Sequence, residues 1–376
     1  MNIDEIKNHK VGMILQFSLP AIISMVLTAF ITITDGFFIG NYVGPEGLAA
    51  VNLGCPIIYF FLAVGLMISV GGVSISGRLF GAQKIDECRN VFSQTMSTVV
   101  VVSVLSSVIT FVLLKPIQFA VGATGIVANY YYDYYTILLF ELPLMIINSS
   151  LGMFIRGEGS PAYFMNTNIL NVVLNIFLDY LFVAKFNLGV KGIAFASVIA
   201  AIISFIPNIL FFFTKSKVYK FRKFVFSKKD FKETILNGCS EFIGEMAMCV
   251  AMYSYNFVIL RKAGVDGITA FTVVGYISYI FSMIICGFGQ GIVPLVGFAF
   301  GAKEYQLAKK LRKITNTFIL ASAAVVMLVM FFCSRWYSQM FTKSESISAM
   351  INYGVLIYMF SFPLAGFNTI SSFYFN

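Results

Sequence analysis

Ten apolar runs follow one another along the 376-residue chain, at about 11–35, 48–76, 92–114, 132–155, 163–184, 190–213, 234–260, 267–298, 315–334 and 348–375. Each approaches or exceeds the roughly 20 residues that a helix needs to cross a hydrocarbon core about 30 Å thick. Inside such a core every backbone N–H and C=O must be satisfied by the segment itself or by a closed sheet, and the alternating pattern of barrel strands is absent. The runs therefore predict an all-α, polytopic membrane protein. Composition agrees: 11% of the residues are charged, where a soluble domain has about a quarter, and 59% are hydrophobic.

The 26 Lys and Arg residues lie between or at the ends of these runs. With the N-terminus placed on the cytoplasmic side of a cell (inner) membrane, 19 of them face inward, counting Arg156, and seven face outward. The formal charge of +9 then reads as a topology and lipid-headgroup signal. No basic patch carries interleaved stacking aromatics, so nucleic acid is not an expected partner. The longest connection, residues 215–233, is basic and inward-facing, and divides a first lobe (1–214) from a second (234–376).

The division coincides with an internal duplication at a constant offset of 220 residues. VGPEGLAA (43–50) falls on AGVDGITA (263–270), GRLFGAQ (77–83) on GFAFGAK (297–303), and ELPLMIIN (141–148) on SFPLAGFN (361–368). Six spans separate the copies, so both cross in the same direction as parallel repeats, an arrangement typical of transporters that expose a midplane site to each side in turn. The second copy has only four spans by residue 376, which predicts a chain truncated by two spans.

Of 17 carboxylates, five lie within spans: Asp35, Glu141, Asp179, Glu241 and Glu245. A charge in the bilayer is costly, so each needs a partner or a function. Asn168, Asn171, Asn175 and Asp179 recur at spacings of three, four and four, and so share one face of a helix. At ~1.5 Å per residue, Asp35 lies about 34 Å and Asp179 about 24 Å from the inner ends of their spans, both in the outer half. Two carboxylates that meet in low dielectric should share a proton or hold a cation such as Na⁺, with Asn175 offering a neutral oxygen one turn away. Glu241 and Glu245 lie four apart on one face near the midplane of the second lobe. There an acidic, aromatic-rich cavity would suit organic cations. Glu141 is divided evenly between a site and a structural contact. Tyr130 to Tyr135 read as an interfacial aromatic belt, and Gln290, between Gly289 and Gly291, as a flexible point.

One histidine, His9, and six cysteines without a C-x-x-C pair leave no metal centre and no nucleophile constellation, so an enzyme is not expected. No cofactor is expected beyond a coupling ion.

The motifs TDGFFIGNYVGPEGLAAV (34–51), RGEGSP (156–161), NIFLD (175–179), LGVKGIAFA (188–196), SEFIGE (240–245) and QGIVPL (290–295) resemble the MATE family of multidrug and toxic compound extrusion transporters, on its bacterial exporter branch. That resemblance implies two six-helix lobes in a V and exchange of Na⁺ or H⁺ for organic cations by alternating access. It implies that Asp35, Asn175 and Asp179, with Tyr134 nearby, form the ion-coupling site, and that Pro20 marks a helix kink. Glu241 and Glu245 would fall on second-lobe acids of that branch; with Glu141, from the reading of the spans, they are the expected substrate-binding residues. The family usually has proline after the span-five aspartate; here Tyr180 follows. A lipid-linked precursor flippase of the same superfamily and a non-transporting subunit stay open as alternatives. Small organic cations and membrane lipids are the expected partners, and a monomer the expected state.

Overall fold

The computed structural model describes residues 3–341 and 344–375. It is helical almost throughout, with no strand among the described residues. The helices are α1 (Ile3–Asn8), α2 (Lys10–Tyr42), α3 (Pro45–Gly81), α4 (Ile85–Val112), α5 (Leu114–Ala120), α6 (Gly125–Gly157) and α7 (Pro161–Asp179), which widens into a π-helical stretch over Tyr180–Lys185. They continue with α8 (Gly189–Thr214), α9 (Lys228–Gly301), α10 (Tyr305–Phe341), α11 (Glu345–Tyr358) and α12 (Phe362–Phe375). Nine segments among the described residues are long and apolar enough to cross a membrane.

The seventh and eighth runs both lie inside α9. Its 74 residues would extend about 110 Å if straight. Yet the rings of Tyr255 and Phe271 are 5.6 Å apart, where sixteen residues of straight helix would separate them by about 24 Å. Cys286 also lies beside Glu241 and Glu245. The helix therefore doubles back between Tyr255 and Phe271, and its two arms are the seventh and eighth spans. The repeat block 263–270 falls at this reversal; several of its side chains, and that of Cys249, lie outside the described residues.

Helices run past the ends of the apolar runs. Asp35 does not end its span: α2 continues for seven more residues and is unbroken through Pro20. The basic connection is shorter than 215–233, because α9 begins at Lys228, where the Ser227 hydroxyl accepts from the Asp230 N–H and caps the first turn. What remains is a pinned strap. Asn90 and Gln94 of α4 each make two hydrogen bonds to its backbone, at Val225 and Ser227, all 3.0 Å. Glu158 accepts from the Ser216 hydroxyl and the Val218 N–H. Tyr219 is fully buried between Phe92 and Phe154, with its hydroxyl 3.2 Å from that of Ser76.

The duplication is visible in the backbone. Gln83 and Lys303, related by the offset, both adopt φ of 62° and close α3 and α9 in the left-handed conformation that non-glycine residues seldom take. In each copy the same bonds follow, Gln83 N–H to Phe80 C=O beside Lys303 N–H to Phe300 C=O, both 3.0 Å.

The two halves are joined at the basic end. A Cβ on Gly77 would lie 3.6 Å from Gly297 Cα, and one on Gly297 would lie 3.5 Å from Gly77 Cα. A Cβ on Gly81 would collide with the Phe298 carbonyl, and one on Gly301 with the Arg78 carbonyl. Each contact is the other's mate under the 220-residue shift, so α3 and α9 cross about a pseudo-twofold axis, backbone against backbone. The small-xxx-small spacing of glycines permits that approach. Gly291 and Gly287 pack likewise on Ser18 and Ile22 of α2, and Lys7 pairs with Glu304 at the rim.

Candidate functional site

Three helices of the first half converge on Asp35. It projects from α2, Asn175 and Asp179 from one face of α7, and Tyr134 and Glu141 from α6. Asp179, Asn175 and Tyr134 are buried, at 0%, 1% and 5% exposure. Asp35 and Asp179 face each other closely enough to interact carboxyl to carboxyl, with the Asn175 amide beside them. Even so, Oδ1 of Asp35 and both carboxyl oxygens of Asp179 have no partner at regular hydrogen-bond geometry. The Asn175 amide is held through its nitrogen, which donates to the Ser197 hydroxyl of α8 at 3.2 Å, leaving its Oδ1 unpartnered. Four oxygens from three side chains are thus buried together and unsatisfied. Leaving such groups unpaired costs several kcal/mol, which a bound proton or cation would offset.

The helix is irregular where this site lies. After Asp179 the α7 backbone widens into π-helix over Tyr180–Lys185. Proline is absent there, and the π stretch itself perturbs the helix; such insertions are common at functional sites.

The structure groups the sequence-derived candidates differently in two respects. Glu141 stands with Asp35, Asp179 and Tyr134, away from Glu241 and Glu245. The tyrosines of 130–135 are not all an interfacial belt: Tyr131, Tyr134 and Tyr135 are buried. Their rings pack on one another, with centroids 4.6 Å apart for Tyr131–Tyr135 and 5.1 Å for Tyr134–Tyr135. The Tyr135 hydroxyl donates to the Val51 carbonyl at 2.5 Å, and Gly54 leaves room for its ring. Tyr134 is the member of this stack that lies near Asp35 and Glu141. Asn168 and Asn171 are half-buried on α7, two to three turns from Asp179.

In the second half Glu241 and Glu245 lie on the first arm of α9, both half-buried. Glu241 accepts from the Ser372 hydroxyl of α12 at 3.4 Å. Glu245 lies near Tyr279 and Cys286 of the returning arm. Phe60 and Phe242 meet edge to face at 5.9 Å beside them, where the two halves face each other. Among the described residues no three His, Cys, Asp or Glu side chains group as a metal site.

One residue has a place that its position in the sequence hides. Arg156 counts with the inner loops by pattern, since it follows an apolar run and precedes RGEGSP's glycines. In the fold α6 continues through it to Gly157, and its side chain is 2% exposed between the halves. Arg156 Nη2 donates to Gln290 Oε1 at 2.8 Å, and the guanidinium lies 4.9 Å over the Phe164 ring. So Gln290 is a cross-half contact.

The MatE family profile matches this sequence over residues 20–181 and 242–376. A multidrug export protein, MepA, of Staphylococcus saprophyticus is 25% identical over 354 residues, covering 94% of this chain and 78% of its own. Among solved structures, a crystal structure of MATE in complex with MaL6 superposes with a TM-score of 0.88 at 22% identity, over 96% of this chain and 83% of that one. The outward-facing conformation of a multidrug resistance MATE family transporter superposes with a TM-score of 0.87 at 21% identity, over 96% and 84%.

Proposed function

The chain belongs to the MatE family, and on that premise we propose that it is a secondary antiporter exporting organic cations or drugs in exchange for Na⁺ or H⁺. As a member of that family it is a multi-pass membrane protein and not an enzyme. Its basic end faces the cytoplasm in this proposal, in the inner membrane, and the V opens toward the outside.

The observation that carries the proposal is the set of unsatisfied oxygens on Asp35, Asp179 and Asn175. A Na⁺ ion would be held by oxygens of this kind, and a proton would be shared between the two carboxyls. Either would remove the charge conflict inside the first half. Glu141 and Tyr134 border the same site and tune its charge and hydration. Organic cations, the class proposed for a substrate, would lie nearer Glu241 and Glu245, where carboxylates stand beside Phe60, Phe242 and Tyr279. Occupation of the first-half site in one state and of the second-half acids in the other would bias a two-lobe equilibrium, which is the requirement for exchange. The lobes are residues 1–214 and 234–376, joined by the strap, and Pro20 is the point at which α2 can bend, since its ring removes one helical hydrogen bond. The name of the staphylococcal relative supports drug export as the direction of transport.

Proteoliposomes test this. Efflux of a fluorescent organic cation such as ethidium, driven separately by imposed Na⁺ and pH gradients, should run uphill with one of them. Failure of both gradients with a correctly inserted protein overturns the antiporter proposal.

A further inference from the structure

We propose that the Arg156 guanidinium, together with the Gln290 amide, binds one small monovalent anion of the chloride class between the two halves. Arg156 has five N–H donors in a rigid fork and no acceptor. Its Nη2 is engaged with Gln290, and its Nη1 is buried without a hydrogen-bond partner in the protein. Among the described residues no carboxylate is paired with it. The Gln290 Nε2 has only the Met25 thioether as acceptor, at 3.7 Å, and sulfur accepts weakly.

These two groups border a small cavity otherwise lined by apolar side chains, Val70 and Val73 of α3, Val293 and Pro294 of α9 and Phe373 of α12 among them. The net charge of that lining is the single positive charge of Arg156. A buried cation without a counter-charge is expensive, and an anion against it restores the balance. Size selects among anions. The cavity leaves about 10 Å³ for the centre of a water molecule, roughly one water's worth. Of the common anions a halide comes nearest that size, and an organic carboxylate or a lipid phosphate is larger. The walls come from both halves, so parting α3 and α9 would dismantle the site and hydrate Arg156. Anion binding therefore favours the joined state of the basic end by mass action.

Neither readout of the test needs transport. Crystals of the chain grown or soaked in bromide should show an anomalous peak within hydrogen-bonding reach of Arg156 Nη1. With chloride exchanged for gluconate at constant ionic strength, the Tm of the purified protein should rise with chloride and saturate. Arg156→Gln should lose that rise and Arg156→Lys keep part of it. An oxygen-sized feature without anomalous signal at Arg156, or a chloride response that survives in Arg156→Gln, overturns the proposal. If Arg156→Gln does not fold, the bromide peak in the unaltered protein decides alone.

Discussion

The two halves share a backbone and divide the chemistry. At the crossing of α3 and α9 the copies are interchangeable: Gly77 meets Gly297, and Gly81 and Gly301 each face the other copy's carbonyl. At the acids they are not. The offset sets Tyr255 opposite Asp35, Ser361 opposite Glu141, and Ala21 and Met25 opposite Glu241 and Glu245. In the first half, three elements enclose a carboxyl pair, three of whose four oxygens are buried without a regular partner. In the second, two half-buried glutamates lie one turn apart on a single helix, one of them bonded to a serine. Symmetric packing places two lobes face to face, and asymmetric side chains make them chemically different. A carboxyl pair with buried, unpartnered oxygens suits a small ion, and two half-buried glutamates along one helix face suit a larger cation.

The largest expected effect tests the symmetric part. Gly81→Val and Gly301→Val should each destabilise by about 3 kcal/mol, the upper end for overpacking, because the new side chain meets a backbone carbonyl with little freedom to shift. Thermal unfolding of both should give similar losses. A large loss in only one would break the equivalence of the copies, while Gly12→Ala, with nothing within 4 Å, serves as the neutral reference.

The next effect tests the division of labour. Asp35→Asn and Asp179→Asn should each lower gradient-driven efflux about 10- to 100-fold with the fold intact, matching the roughly 1.5–3 kcal/mol contributed by a contact to a charged group. Normal coupled efflux in both variants would remove the first-half site from the mechanism. The smallest effect sharpens it: Glu241→Gln and Glu245→Gln should weaken organic-cation binding a few-fold, about 1 kcal/mol for a partly solvated charge. Ion dependence should stay unchanged in a titration of efflux rate against substrate. A changed ion dependence in these variants would mean that the two acid groups act as one.

Much of this was legible from residue order. The apolar runs give helices because a bilayer admits no other open backbone, and the repeat is exposed by glycines and prolines whose spacing survives when side chains diverge. The aspartates stand out because charge in an apolar run is rare, and the stripe of Asn175 and Asp179 follows from helical periodicity. Tyr134 entered through family resemblance. Ser197, which anchors the Asn175 amide, and the buried stack of Tyr131 and Tyr135 carry no such mark. A serine in an apolar helix and a tyrosine near a membrane boundary have many uses, and only neighbours select among them.

By itself, then, the sequence determined the membrane as solvent, the helices, the twofold repeat and the set of costly charges, because each follows from local chemistry read against a low-dielectric slab. Tertiary structure alone decided which charges meet. Glu141 joined Asp35 because α8 packs against both α6 and α7 while α7 packs against α2, and α9 turned back on itself to bring Cys286 beside Glu245. Arg156 moved from an apparent loop into the seam because α6 runs on to Gly157 and the glycines of α3 and α9 let the two halves close around it. Distances between segments far apart in the chain are set by packing, and no local pattern encodes them.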